Sequence, residues 1–407
     1  MERLSLFLRL AARNAWRTPR RSVLTVAAIA FGLLCLIVFQ ALKVGLHREM
    51  VASTVQLDAA SLQVIPAGQG EGLTRLRPLV EAQQIVTLLA ERPETAAGMR
   101  LRAPALLSAP AGSAAVVLTG IDPPNEARLT VIAGRVSAGS YLEPFGGLLI
   151  GAALAESLGV TVGGEVTVLV QTLFGQPASR RLPVRGVYRT ALPGFDRSHV
   201  FLDLPTTQTL FAAAGVVTAV AVRVAPEEEA ELADWLRERL PGDRYRVVTW
   251  QEVAPDVVQL IELNDGTMRL LVLIVFFIVA LGIVNTMGMS VLERTTEFGV
   301  LAALGLRPRQ VVMLVMLEAL VLGAVAAAAG SLAGVALCTY LASHGLDLTR
   351  LTSANPHFAT SHVLKAELVA ADLLLANLVG FATALLAGLL PAWRASRLAP
   401  AEALRRN

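Results

Sequence analysis

Nucleotide binding through a Walker A loop requires glycine-lysine followed by serine or threonine, because loop amides and the lysine ammonium together neutralise the phosphates. The chain has only two lysines, Lys43 and Lys365, and leucine precedes each of them, which closes that route to ATP. Gly-x-Ser-x-Gly, His-Glu-x-x-His, Cys-x-x-Cys and EF-hand patterns are absent, so no nucleophile elbow, zinc-protease helix, thiol redox pair or calcium loop is expected. The glycine-rich stretch at 69–72 lacks the strand-to-helix setting of a phosphate cradle and reads as a flexible loop. His344, His357 and His362 lie near Asp347, but without i, i+4 helical spacing they read as solvated loop histidines, and no metal site is expected. Three polar residues stand within apolar surroundings. Glu318 must be protonated, paired or at a headgroup boundary, and Asn285 and Asn377 are expected to hydrogen-bond between helices. The remaining charged cluster is at 290–310, where Glu293, Arg294 and Glu297 adjoin Phe298, Leu301 and Leu304.

The elements that hold these residues follow from composition. Of 407 residues, 54% are hydrophobic and 16% charged, against about 25% charged in soluble proteins, so a wholly soluble enzyme is excluded. Richness in Leu, Val and Ala without a glycine period excludes disorder and collagen. Four stretches carry no Asp, Glu, Lys or Arg: 23–42, 270–292, 319–343 and 373–393. About 20 apolar residues cross a hydrocarbon core of about 30 Å. Four transmembrane helices are therefore predicted, bounded as 23–42, 270–292, 311–343 and 371–393. The first is too long for a signal-peptide core and has no small-x-small cleavage site at 41–43, so it reads as a retained anchor. Cys35 and Cys338 fall inside apolar runs, which excludes a disulfide framework or a cysteine zinc cluster.

Arginine placement orients the chain. Arg3, Arg9, Arg13, Arg17, Arg20 and Arg21 precede the first helix, Arg294, Arg307 and Arg309 separate the second from the third, and Arg394, Arg397, Arg405 and Arg406 follow the fourth. The positive-inside rule places all three segments, and both termini, in the cytoplasm. Residues 43–269 carry 20 basic and 24 acidic side chains. The net positive charge thus reports topology and not a nucleic-acid partner.

Residues 43–269 must then face the outside as a mixed α+β domain inserted between helices 1 and 2. Apolar or alternating runs at 61–65, 114–121, 166–171, 182–187 and 218–224 predict strands. Stretches 78–90, 151–158, 205–213 and 226–240 predict helices, several opened by proline, and 67–72, 109–113 and 191–194 read as loops. At the other ends of the chain, 344–370 forms an outer loop and 394–407 a cytoplasmic tail. Within 1–22, Leu4, Phe7, Leu8, Ala11 and Ala15 share one helical face while Arg9, Arg13 and Arg17 share another. That pattern fits a helix in the headgroup plane or an ordinary positive-inside flank. Residues 293–310 read either as a short amphipathic helix, closed by Gly305 and Pro308, that docks on a cytoplasmic partner or as a solvated loop. The glycines at 323, 330 and 334 predict close packing of the third helix within the subunit.

Asn285-Thr-Met, Leu292-Glu-Arg-Thr-x-Glu-Phe-Gly, Ala303-Leu-Gly and the tail from Pro391-Ala-Trp-Arg to Ala-Glu-Ala-Leu404 resemble the FtsX/MacB-type permeases of ABC transporters. The order of one helix, a large MacB-like outer domain and three helices matches that family over the whole chain. Within it, Thr119-Gly-Ile-Asp-Pro123, Ala133-Gly-Arg135, Leu149-Ile-Gly-x-x-Leu-Ala155 and Val184-Arg-Gly-Val-Tyr188 resemble the lipoprotein-releasing permeases LolC and LolE. Related outer domains serve macrolide efflux, glycolipid export and cell-division regulation.

The resemblance implies a permease without enzymatic activity or bound cofactor of its own, ATP and Mg residing on a separate ATPase subunit. It implies pairing with a second copy or a paralogue and contact with the ATPase through Glu293, Arg294, Glu297, Phe298, Leu301 and Leu304. A lipidated or amphipathic substrate, a lipoprotein first of all, would leave the membrane between the first and second helices, past Phe31, Leu34, Phe39, Phe276 and Phe277. Such permeases engage an extracytoplasmic lipoprotein carrier with a hairpin. The aligned segment, 171–181, is shorter and offers Leu173, Phe174 and Pro177. A non-transporting regulator of an extracytoplasmic hydrolase and a MacB-like efflux permease are the alternatives.

Overall fold

The computed structural model describes residues 2–69, 77–144, 146–190, 192–347 and 363–396. They form two compact units, one of Met1–His47, Glu262–Leu346 and Val363–Asn407, the other of Arg48–Ile261 with Asp347–His362. The loop glycines beyond Gln69, His357 and His362 of the histidine group, and the tail beyond Ser396 lie outside the described residues.

In chain order the helices are α1 (Glu2–Ala15), α2 (Pro19–Thr54), α3 (Ala82–Leu89), α4 (Pro123–Leu129), α5 (Ala152–Leu158), α6 (Pro193–Ser198) and α7 (Leu204–Leu210). They continue with α8 (Glu229–Arg239), α9 (Trp250–Val253), α10 (Pro255–Glu293), α11 (Thr295–Ala303), α12 (Pro308–His344) and α13 (Ala370–Ser396). The strands are β1 (Leu62–Pro66), β2 (Ala96–Ala109), β3 (Gly112–Ile121), β4 (Val136–Gly139) and β5 (Leu148–Gly151). After them come β6 (Glu165–Gln171), β7 (Pro177–Tyr188), β8 (His199–Asp203), β9 (Ala219–Arg223) and β10 (Tyr245–Thr249).

In the first unit, α2, α10, α12 and α13 are each long and apolar enough to cross a membrane. All four outrun the spans predicted for them, because the charged residues that end an apolar run are good helix formers and do not end a helix. Packing depends on small residues. A Cβ on Gly330 would stand 2.6 Å from the carbonyl oxygen of Ala30, so α12 approaches α2 as only glycine permits. On another side of α12, Gly323 meets Ala384 of α13 and Ala319 meets Gly388. Ser331 Oγ donates to Asn377 Oδ1 at 3.1 Å across the same pair of helices. Asn285 departs from expectation, since its side chain is exposed on α10 and has no interhelical partner among the described residues. The apolar face of α1 packs on α12, with Ala11 fully buried, Ala15 6% exposed and Phe7 against the same cluster. Where its side chains are described, that face lies against α12, because two alanines let the helices approach closely. The side chains of Leu4 and Leu8 lie outside the described set.

The second unit is built on a ten-stranded mixed sheet in the order β10-β1-β9-β2-β3-β8-β5-β7-β4, with β6 pairing β2 and β7. Its core gathers Leu62, Leu101, Leu107, Leu118, Val168, Val200 and Val222 from the strands with Ile85, Leu154 and Leu236 from α3, α5 and α8. Five strands match the runs read from sequence, whereas β2, β4, β5, β8 and β10 were not anticipated. Strand β2 is rich in alanine, a poor strand former, and holds Pro104. Its β9 partner ends at Arg100 and its β6 partner begins at Ala105, so the proline sits where one edge of the strand has no ladder to break. Residues 193–194, read as loop, open α6 instead, with proline at its first turn. The glycines of two family-like motifs are sites of close approach: a Cβ on Gly151 would lie 2.0 Å from the carbonyl oxygen of Asp196, and one on Gly186 2.4 Å from that of Ser140.

Candidate functional site

Helix α11 lies between the ends of α10 and α12. Gly305, at φ +95°, turns the chain after it, and Pro308 opens α12 while the Arg307 amide donates to Gln310 Oε1 at 2.8 Å. Arg294 is the hub of this corner. Its Nη1 donates to Glu318 Oε1 at 2.9 Å, its Nε donates to Glu297 Oε2 at 3.0 Å, and the guanidinium covers the Phe298 ring at 5.2 Å. Glu297 also pairs with Arg17, and Arg21 donates to Glu293 Oε2 and to the Thr286 carbonyl, both at 2.7 Å. Burial alone would lower the Arg294 pKa, yet its bonds to Glu318 and Glu297 raise it. For Glu297, burial would raise the carboxyl and the two arginines hold it below its ordinary range. Glu318, 4% exposed, is thus the paired carboxylate that sequence left as one of three options.

The apolar residues of this segment divide. Phe298 is 3% exposed and packs, with Leu301, on the helix bundle, whereas Leu304 is 79% exposed. Phe298, Leu301 and Leu304 therefore do not share one docking face. At about 100° per residue, Leu304 is displaced roughly 120° from Phe298. The outward side carries Val300 and Leu304, with Thr296 and Ala303 also exposed. Val300 was missed, although it lies four residues before Leu304, the spacing that puts both on one side of the helix.

Of the five residues expected along a substrate path, Phe31 and Phe277 are exposed by 66% and 56%, Phe39 by 37%, and Leu34 and Phe276 are half-buried. Only Phe276 reaches the small gap that Gly32, Leu36, Val275 and Gly380 share between α2, α10 and α13. The other four lie outside that gap. Of the hairpin residues, Leu173 tucks into the core of its own domain, its amide donating to the Phe211 carbonyl at 3.0 Å. Phe174 alone forms an apolar tip, 76% exposed, and Pro177 begins β7 opposite Gln171.

The second unit also holds a cavity of about 580 Å³ that no sequence motif announces. Its lining includes Leu57, Asp58, Ala115, Leu192, Phe195 and His199. A π-helical turn, Val55–Ala59, follows α2 and presents Asp58; such turns are rare and concentrate at functional sites. Arg102 Nη2 contacts Asp58 Oδ2 at 2.6 Å and His199 Nε2 at 3.4 Å, and His199 Nδ1 lies 2.9 Å from Ser198 Oγ. Because Arg102 can only donate, Nε2 accepts and Nδ1 carries the proton. Burial holds the His199 pKa below its ordinary value despite Asp58 beside it. For Asp58, burial pushes upward, but the charges of Arg102 and Arg100 prevail and hold it low. Phe195 stacks on the His199 ring at 4.1 Å.

Helix α6, which brings Phe195 to the cavity, is moored by Asp196. Its buried carboxylate accepts from the Thr190 amide at 3.1 Å and from Thr190 Oγ1 at 2.6 Å. Burial, outweighing those bonds, raises its pKa to about 6. The folded chain holds this proton more tightly than the unfolded one. The stability it contributes is therefore full below the unfolded carboxylate pKa of about 4 and is lost as pH rises through about 6. In melts of the full-length protein, Asp196→Asn is expected to gain on the wild type between about pH 4 and 6 and to level off above that. A difference that does not vary with pH would refute this.

Four helices long and apolar enough to cross a membrane, a mixed-sheet domain in the chain between the first two and an ion-paired helix linking the next two form the pattern of a multi-pass membrane protein. A family model described as MacB-like periplasmic core domain matches residues 22–239, more than half of the chain, and one described as FtsX-like permease C-terminal matches 269–400. The chain belongs to this family of ABC transporter permeases. It is similar to the lipoprotein-releasing system transmembrane protein LolC of Xylella fastidiosa, 27% identical over 98% of this chain and 97% of that protein. LolC of Neisseria meningitidis is 24% identical over the same shares, and LolE of Haemophilus influenzae is 24% identical over 71% of this chain and 72% of its own.

Proposed function

We propose that the chain is the permease half of an inner-membrane exporter that lifts a lipid-anchored or amphipathic cargo, a lipoprotein first of all, out of the outer leaflet. Both termini and α11 face the cytoplasm, where a separate ATPase docks, carrying its own ATP and Mg. The observation that carries this reading is the corner around Arg294. Glu297 binds the segment after α1, Arg294 binds Glu318 of α12, and Glu293 ends α10, so a push on α11 is delivered to three helices at once. Full-length likeness to LolC supports lipoprotein as the cargo. Helix α10 exposes Leu270, Leu273, Ile274, Phe277, Ile278 and Leu281 along one side, a face suited to a second permease, identical or paralogous, as much as to lipid. Between two such chains Phe31 and Phe277 would line the cargo's exit. The exposed Phe174 offers an extracytoplasmic carrier a single apolar contact.

The test is reconstitution with an ABC ATPase subunit and an acylated polypeptide in the liposomes. ATP-dependent appearance of that polypeptide in solution supports lipoprotein release. Stimulated ATPase activity without release, under conditions where a macrolide or a peptidoglycan hydrolase responds, would move the reading to efflux or regulation. Within the same assay, Val300→Asp with Leu304→Asp is expected to lower ATPase co-purification at least ten-fold, since about 1.4 kcal/mol of lost contact is a factor of ten. Undiminished recovery of the complex would remove α11 as the docking element.

A further inference from the structure

We propose that the cavity beside α6 binds an acylated amphipath whose chain lies against Leu57, Leu192, Phe195 and Val257, whose amide N–H or hydroxyl donates to Asp58, and whose anionic group meets Arg197. All the lining residues belong to the second unit. A volume of about 580 Å³ falls within the roughly 300–1,000 Å³ of sites that take drug-sized ligands, which are mostly apolar with a few placed polar groups. Asp58 is the first such group. Its Oδ2 is engaged by Arg102, but its Oδ1 is buried and receives no hydrogen bond from the protein, a deficiency that native structures rarely leave. The missing donor is neutral, because Arg100 and Arg102 already surround the carboxylate with positive charge. His199 cannot supply it, its one proton being turned to Ser198. Arg197 is the second group: it lines the cavity, is exposed, and has no carboxylate partner among the described residues.

Acyl chain, amide or hydroxyl donor and nearby anion occur together at the end of an N-acylated polypeptide and in a lysophospholipid. The site would give a lipid-bearing cargo a resting place on the outer domain, and in that sense it rests on the function proposed above. Ser53, Thr54 and Val257, also residues of the second unit, contribute to the lining.

The experiment uses full-length protein in nanodiscs, with Cys35 and Cys338 replaced by alanine and Ala115→Cys as a reporter labelled by a maleimide dye. N-Lauroylglycine, at submicellar concentration, is expected to slow labelling at least ten-fold. N-Lauroylsarcosine, in which a methyl replaces the amide hydrogen, should need at least five times the concentration for the same effect, and Asp58→Asn should erase that preference. Arg197→Ala, a surface change that leaves folding intact, should weaken protection by N-lauroylglycine but not by N-lauroylglycinamide, which lacks the carboxylate. A lauroylated peptide and lysophosphatidylglycerol, run in parallel, separate the polypeptide from the lipid source. Equal protection by the glycine and sarcosine probes, or none by either, overturns the proposal. Absence of lipoprotein release alongside selective protection would instead overturn only the cargo reading.

Discussion

Replacing Arg100 with methionine is expected to lower the stability of the outer domain by about 3–5 kcal/mol, the cost of breaking a buried ion pair from one side. Arg100 and Glu126 join β2 to α4, with side chains 3% and 1% exposed. Nη2 to Oε1 is 2.6 Å and Nε to Oε2 is 3.1 Å, the two-pronged geometry of a strong pair. The guanidinium also donates to the Asp58 carbonyl, so the change loosens the π turn as well. Burial would lower the Arg100 pKa, but Glu126 raises it, and the arginine stays charged wherever the fold persists. Trp235 and Trp250 lie in this unit, Trp16 and Trp393 in the other. With the latter two changed to phenylalanine, fluorescence melts of the full-length protein in nanodiscs report on the outer domain. A fall of roughly 10 °C is expected. Adding Glu126→Leu should recover part of the loss, because an apolar pair of similar volume leaves no stranded carboxylate. A shift under about 2 °C for the single change would show that water reaches Glu126 and that the pair contributes as a surface bridge does.

The second large effect is expected at Arg294. Arg294→Met removes the partner of Glu318, which is 4% exposed on α12, and a charged group left unpaired at such depth costs about 3 kcal/mol. It also takes one of the two arginines from Glu297, leaving Arg17, and uncovers the ring of Phe298. Helix α11 should then detach from α12 while Arg21 still holds Glu293. In reconstituted complexes this predicts ATP hydrolysis that continues without release, together with faster hydrogen exchange across 295–303. Arg294→Lys keeps the charge but cannot reach both carboxylates in fork geometry, and should fall between the two. Coupled transport in Arg294→Met at the wild-type rate would show that the force does not pass through this corner.

The four long helices were legible because a membrane span is one-dimensional information: its length and lack of charge can be counted along the chain. Strands β3, β6 and β9 were legible for the related reason that alternation or an apolar run marks them locally. Strand β2 was not, since its alanines and Pro104 are acceptable only beside the particular partners the sheet supplies. The same limit hid the cavity. Arg102 and His199 stand 97 positions apart, and neither has a neighbour in sequence that hints at the other. Around Arg294 the residue types were legible and their directions were not. The motif marked Phe298 and Leu304 alike, yet one became an anchor and the other a rim, a distinction made by the exact turn of a helix against its bundle. Glu318 could be recognised as needing a partner, but Arg294 could be chosen only once α12 and the end of α10 were brought together.

The first strand of the outer domain pairs on both sides with the last two, Leu62 facing Thr249 on one flank and Val222 on the other. During synthesis, β1 therefore emerges long before either neighbour exists. At about 5–20 residues per second, about 150 residues of delay correspond to roughly eight to thirty seconds in which an apolar strand waits unpaired. The domain can close only when its final segment has been made. The pace of synthesis then decides how long the unfinished sheet waits. A synonymous codon change that slows ribosomes between 70 and 210 would lower yield without altering a single residue.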